Sequence, residues 1–392
     1  MILFFLLIFG TEPAFARPEF ALKTKQNCTA CHVNPWGGGP KTVYGKIFGS
    51  RDFKPVESSF LETYNADVRA VGFYPDKPSK TSNGLALMEV APSATVPLTK
   101  SDSESDLRAV ATYNFSPLQS SAREVYVRWQ PKTQQDGLLS NVIVGRFNAP
   151  FGLLTDEHRT YTRLQTNMTL NNYEMGAAFS GNLLDSLHYD LALSNDFQNG
   201  GGAFTNNDVT YGEILNVRWN PSSLPFLVGA SQNFQHSLLF PEPYAFSAYG
   251  ALSLDRMTNN FFHATVLGEA VLAKNWNNPT INPGLGPFFI PSTDTTYSSA
   301  ISQSHSLGYY GLFRYDFTPR WALIYKFDDL VLDTAFGGDA FIRHGLGFET
   351  FLAANLILNM RVEKALSGRP EITENSALAS ESDLIAMLRL WL

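Results

Sequence analysis

The chain of 392 residues has almost no cysteine, only Cys28 and Cys31, so a disulfide framework cannot hold it together. It is also poor in charge: 17% of its residues are charged, against roughly 25% in ordinary soluble domains. No apolar run beyond the N-terminus reaches the roughly 18 residues of a membrane-spanning helix, which excludes a polytopic helical membrane protein. Basic clusters are absent and acidic residues outnumber basic ones, 36 to 29, so nucleic acid is not an expected partner. What the chain has in quantity is aromatic, with 30 Phe and 16 Tyr, a composition at odds with disorder. The length allows two or three ordinary domains or one large β architecture.

The N-terminus begins with MILFFLLIFG and continues to Ala14-Phe15-Ala16. A short apolar stretch ending in A-x-A has the form of a secretory signal, here without the usual positive start. Residues 1–16 are therefore expected to be cleaved, leaving a mature chain from Arg17 in an oxidising compartment.

The two cysteines fall within one motif, Cys28-Thr29-Ala30-Cys31-His32. C-x-x-C-H is the attachment signature of a c-type haem. Two thiols three residues apart reach the two vinyl groups of one porphyrin, and the following imidazole lies under the iron. A thioredoxin-like reading wants a βαβ context, which is missing. A zinc site wants about four ligands and has no second cysteine pair. A disulfide across two intervening residues would be strained and staple little. The expected cofactor is one covalently bound haem c, held by Cys28 and Cys31 with His32 as the iron ligand. The run Asn34-Pro35-Trp36-Gly37-Gly38-Gly39-Pro40 is loop-like. Trp36, Tyr44 and Phe48 are candidates to cover the porphyrin or simply to pack a small plug. Residues 17–59 are too few for an independent core, so the haem segment must lean on something larger.

From about residue 60 the chain becomes a series of alternating segments separated by Gly, Pro, Asn, Asp and Ser. Tyr64, Ala66, Val68, Ala70, Gly72 and Tyr74 fall on one face, and Asn65, Asp67 and Arg69 on the other. The same split recurs at Leu187–Ser194, Phe262–Leu272, Ser306–Phe317, Leu356–Glu363 and Asp383–Leu392. Segments of about ten residues, apolar outside and polar inside, are the signature of a transmembrane β-barrel. The expected fold is all-β: an outer-membrane barrel of about 16 antiparallel strands over residues 60–392, its lumen plugged by the haem segment. Tyr74, Trp129, Trp219, Trp321 and Trp391 are candidates for its interfacial aromatic girdles. Short connections (181–185, 220–224, 255–260, 318–320) alternate with long ones (195–209, 274–299, 365–381). Short turns belong on the periplasmic side, which places both ends of the barrel there.

The stretch from Gly145 to Arg163 has the length and mixed charge of a loop folded into the lumen as a constriction. Asp156, Glu157 and His158 are a possible transient site for a cation such as ferrous iron. The competing and preferred reading is a structural loop with Arg146, Arg159 and Arg163 in salt bridges. For the distal haem position, His188 and His263 have lumen parity, His158 lies in the loop, and Met88, Met168 and Met175 stay open.

An N-terminal haem motif joined to a β-barrel resembles the fused monohaem cytochrome–porins of iron-oxidising bacteria. The resemblance covers the whole chain as architecture. At residue level it rests on Cys28-Thr29-Ala30-Cys31-His32 and the aromatic–glycine stretch through Gly49. Only Cys28, Cys31 and His32 carry over, and the Asn34–Pro40 run departs from the family. The resemblance implies an electron conduit in the bacterial outer membrane. Its partners would be membrane lipid, an extracellular donor or acceptor such as ferrous iron, and a periplasmic c-type cytochrome or other carrier. The alternative is a diffusion porin with a structural or redox-sensing haem plug. A haem enzyme such as a peroxidase is disfavoured, because no distal Arg–His pair has a recognisable spacing.

Overall fold

The computed structural model describes residues 31–32, 63–75, 84–100, 103–115, 120–132, 137–153, 160–166, 168, 173–184, 186–195, 211–221, 223–236, 242–259, 261–276, 305–318, 320–334, 340–353, 356–367 and 382–391. Sixteen strands follow one another: β1 (Tyr64–Pro75), β2 (Gly84–Pro97), β3 (Ser105–Phe115), β4 (Ser120–Pro131), β5 (Asn141–Asn148), β6 (Tyr173–Leu184), β7 (Leu187–Ser194) and β8 (Tyr211–Trp219) form the first half. The second half is β9 (Phe226–His236), β10 (Tyr244–Ser253), β11 (Ala264–Lys274), β12 (His305–Thr318), β13 (Trp321–Val331), β14 (Ala340–Ala353), β15 (Leu356–Ser367) and β16 (Ser382–Trp391). Among the described residues two short helices interrupt them, α1 (Tyr161–Gln165) and α2 (Leu254–Met257).

Each strand pairs antiparallel with its sequence neighbours, and β1 pairs with β16 from Asp67↔Trp391 to Pro75↔Asp383. The sheet therefore closes into a 16-stranded barrel without an edge. Closure lets the strands satisfy one another's backbone groups, the condition for sitting in hydrocarbon.

The alternation read from the sequence sets the register. Outward positions carry Leu85, Phe115, Val144, Leu184 and Leu346, all exposed, with Leu85 at 79%. In water such a surface would drive association, and lipid is its matching solvent. Inward positions carry Arg69, Glu89, Arg128, Asp190, Glu269, Arg314, Asp328 and Glu349, all buried.

Aromatic rings gather at both rims. Trp219 meets Phe226 at 5.3 Å and Trp321 meets Phe348 at 5.8 Å at the short-turn end. At the other end Tyr113 meets Phe115 at 4.6 Å and Phe234 meets Phe246 at 5.5 Å. Tyr74, Trp219 and Trp321 face outward as expected. Trp391 does not: it is buried beside Arg389, which lies over its ring at 5.9 Å, and shares the lumen parity of that arginine.

The short turns gather at the end where β1 begins and β16 finishes. One boundary moves. Gly181–Leu184 belongs to β6, leaving a turn of only two residues before β7.

Candidate functional site

The barrel's most developed internal feature is the connection between β5 and β6. It leaves the wall and enters the lumen, with residues 149–153, 160–163 and 165–166 all buried. Two glycines allow the departure. Gly145 has φ of 135°, and a Cβ there would collide with Val125 O of β4. Gly152 has φ of 63°, and a Cβ would collide with Glu269. Only glycine adopts such backbone cheaply where another chain lies this close.

The loop is pinned to the far wall. Gly152 N–H donates to Ser231 Oγ of β9 at 2.9 Å, and Leu153 N–H to Glu269 Oε1 of β11 at 3.0 Å. Glu269 also accepts from Ser247 Oγ at 2.8 Å and Thr162 Oγ1 at 3.2 Å, and Arg163 stands 3.6 Å from it. Arg163 donates in turn to the carbonyls of Phe151 and Leu153. Further on, Tyr161 N–H donates to Asp328 Oδ1 of β13 at 3.2 Å, and Arg343 of β14 covers the Tyr161 ring at 4.5 Å. Gln165 Nε2 donates to Ser306 Oγ of β12 at 2.8 Å. Gly308 of β12 leaves the space that Gln165 occupies.

The loop's other side is apolar. Phe147, Ala149, Phe151 and Met168 pack with Val110, Ile143, Ile214, Val271 and Trp276 in one buried cluster. Burying a Phe or Ile side chain contributes on the order of 2 kcal/mol. The loop is thus wedged, with apolar contacts behind it and buried carboxylates in front.

Around it the lumen wall is a set of ion-pair chains. Arg389 and Arg69 share Asp67, Arg69 reaches Glu89 at 2.9 Å, and Arg123 closes on Glu89 from β4. Arg123 is the extra residue of a β-bulge opposite Thr112, which explains why it and Glu124 are both buried. Arg314 pairs with Glu349 at 2.6 Å and Asp316 at 2.8 Å. Asp328 holds Lys326 at 3.1 Å and Arg343 at 3.0 Å, and Glu363 holds Arg361 at 2.7 Å. Each chain alternates in sign, so the wall carries dense charge with local neutralisation.

Several expected residues can now be placed. Arg163 is in the buried ion pair just described, in keeping with the structural reading of the loop. Arg146 lies over the Tyr173 ring at 5.8 Å. Asp156, Glu157, His158 and Arg159 lie outside the described residues, as do Cys28, Trp36, Tyr44 and Phe48. Among the described residues no group of three or more His, Cys, Asp or Glu is arranged to hold a metal ion. His188 points inward and its Nδ1 meets Asn182 Oδ1. His263 does not line the lumen: it sits in an exposed turn, bonded to Asp255 at 2.7 Å. Met88 is the extra residue where β2 bulges against β1, Met168 is packed in the apolar cluster, and Met175 is half-buried on β6.

Of the haem motif, Cys31 lies in a turn and His32 in an isolated bridge, both half-buried, with His32 Nδ1 closed to solvent.

The arrangement has relatives among solved structures. The chain is similar to the outer membrane channel DcaP of Acinetobacter baumannii, at TM-score 0.56 and 8% identity over 84% of this chain and 96% of that one. It is similar to the anion-selective porin from Comamonas acidovorans, at TM-score 0.56 and 10% identity over 84% and 99%. OmpT of Vibrio cholerae, lacking loop L8, matches at TM-score 0.56 and 9% identity over 84% and 98%. The fold is that of a porin. No protein-family model and no curated protein matches the chain. Together, the closed porin-type barrel and its apolar belt are those of a bacterial outer-membrane protein.

Glu269 and Asp328 are the site residues that the sequence did not single out as anchors. The alternation of Phe262–Leu272 places Glu269 on the polar face, and Asp328 falls outside the segments read in that way. Their partners lie 107 and 167 residues away, and no local pattern announces such contacts.

Proposed function

We propose that the protein is a diffusion porin whose lumen is narrowed by the β5–β6 loop, and whose N-terminal segment carries one covalent haem c. The observation that supports the porin reading is the anchoring of that loop across the lumen by Glu269 and Asp328. A wall of alternating charges would admit small hydrophilic solutes and reject apolar ones. Cys28 and Cys31 would tether the haem and His32 would ligate its iron. When bound, the haem supplies a one-electron carrier. In the porin reading it serves as a plug or a redox sensor.

A second reading is favoured by one specific observation, the C-x-x-C-H motif behind an export signal. In it the haem passes electrons between an extracellular donor or acceptor, ferrous iron among them, and periplasmic cytochromes. The hydrocarbon core is about 30 Å thick. One haem serves only if a soluble partner approaches it within the barrel.

Proteoliposomes separate the readings. In the porin reading, liposomes swell in sugars of increasing size up to a sharp cut-off. In the conduit reading, an impermeant reductant outside reduces an acceptor trapped inside, without swelling. Vesicles that show neither response would sink both.

A further inference from the structure

We propose that Asn233, Gln235 and Trp276 form a binding station for an uncharged, hydroxyl-rich solute such as a sugar, on the long-loop side of the constriction; the inference rests on the porin reading above. β9 carries Ser231, Asn233 and Gln235 at successive inward positions. Ser231 is occupied: it accepts from Gly152 N–H of the constriction loop at 2.9 Å and donates to Asn216 Oδ1 at 2.9 Å. The two amides above it are not. Asn233 is 0% exposed and Gln235 2%, yet neither the oxygen nor the nitrogen of either side chain meets a hydrogen-bond partner among the described residues. Buried polar groups are nearly always paired, and leaving one unpaired is costly. Four such atoms on two neighbouring side chains of one face mark a place suited to a polar molecule.

Trp276 adds a fifth. Asn275 has φ of 61°, donates through Nδ2 to the Glu242 carbonyl at 2.8 Å, and turns the chain at the end of β11. Trp276 follows it, 0% exposed, with Nε1 likewise unpartnered among the described residues. It belongs to the buried cluster that holds Ile214 and Ala245, and these stand directly across from Asn233 on β8 and β10.

The surroundings select the ligand. Gly212 lies across from Gln235, and the row through Asn233 continues as Ile214 and Ala192 on one side and Ala245 and Ala273 on the other. None of these is charged, so an ion would lose its hydration there without compensation. The inward charges of the neighbouring strands, Asp190 and Glu269, lie nearer the short-turn end, and arginines already face them, Arg218 at 2.8 Å and Arg163 at 3.6 Å. A carboxamide presents an acceptor and a donor side by side. A sugar hydroxyl both donates and accepts, and adjacent hydroxyls match a pair of amides, while its C–H groups suit the apolar residues beside them. An apolar lining with a few placed polar groups is the usual make-up of a small-molecule site.

The purified full chain in a planar bilayer tests the station, with sucrose as the probe and a poly(ethylene glycol) of the same hydrodynamic size as the steric control. Sucrose added on the long-loop side should lower the current saturably. The glycol, whose ether oxygens only accept, should lower it less. Asn233→Leu and Gln235→Leu should each raise the half-blocking sucrose concentration about tenfold. Trp276→Phe keeps a ring but removes the N–H; it should raise that concentration too, and abolish the change in tryptophan fluorescence that sucrose causes in wild type. Heat-modifiable gel migration shows which variants have folded, and Trp276→Phe carries the test if leucine prevents folding. Folded variants that respond to sucrose as wild type does, or a wild type that sucrose and the glycol block alike, would overturn the station and leave the porin reading standing. A bilayer that stays silent after insertion would overturn the porin reading and the station with it.

Discussion

Glu269 is the point at which the inward loop is most vulnerable. Its carboxylate accepts hydrogen bonds from Leu153, Thr162 and Ser247 and faces Arg163, whose side chain is 6% exposed against 2% for Glu269. Glu269→Ala removes one partner of a buried ion pair and leaves a cation behind, which costs about 3–5 kcal/mol. The barrel strands themselves lose nothing comparable, so the penalty should fall on the loop's attachment. At about 1.4 kcal/mol per factor of ten, the released state gains roughly two to three and a half orders of magnitude in population. Arg163 keeps its bonds to the Phe151 and Leu153 carbonyls, and these hold the loop's own shape as it swings. The assay is limited proteolysis of the folded, heat-modifiable protein, with cleavage sought between residues 149 and 168. Glu269→Ala should be cut there far faster than wild type. Glu269→Gln, which keeps an acceptor for Leu153, should fall between them. Equal cleavage rates for all three, with the barrel intact, would refute the claim that this carboxylate holds the loop.

Other expectations follow from single residues. Gly152→Ala forces an L side chain into positive φ against Glu269; it should cost about 1–3 kcal/mol and loosen the same loop, as read by the same proteolysis. Val144→Arg puts a charge at the middle of the outward face of β5. It should cost about 2–4 kcal/mol of folding free energy in lipid, measured by urea titration of folding into vesicles. Replacing Cys28 and Cys31 by Ala should abolish covalent haem staining on a denaturing gel while the heat-modifiable band persists. Loss of that band would mean that the haem segment is needed for barrel assembly.

The barrel was legible because its physics is local. Period-2 alternation and turn residues repeat in every strand, and they give the strand number, the faces and the shared end of the termini. The constriction loop was legible from its length and charge between two strands. What escaped depends on geometry that no window of sequence carries. The bulges that add Met88 and Arg123 shift parity by one residue. Trp391 has the residue type of an interfacial girdle, yet it follows the inward parity of Arg389. The alternation of β11 continues in sequence to His263, but the strand begins at Ala264 and His263 falls in the turn. The apolar patch inside the lumen, Ile143 and Ile214 among it, runs against the polar-inside rule and makes sense only beneath the loop that covers it. Glu269 and Asp328 became anchors only when the far wall met that loop.

The central claim is that this barrel encloses a narrowed passage, and recording the purified wild type in a planar bilayer tests it most directly. The account predicts stepwise, ohmic current with each insertion, larger in Glu269→Ala than in wild type. Insertion of folded, heat-modifiable protein that leaves the bilayer electrically silent, in wild type and variant alike, would contradict it.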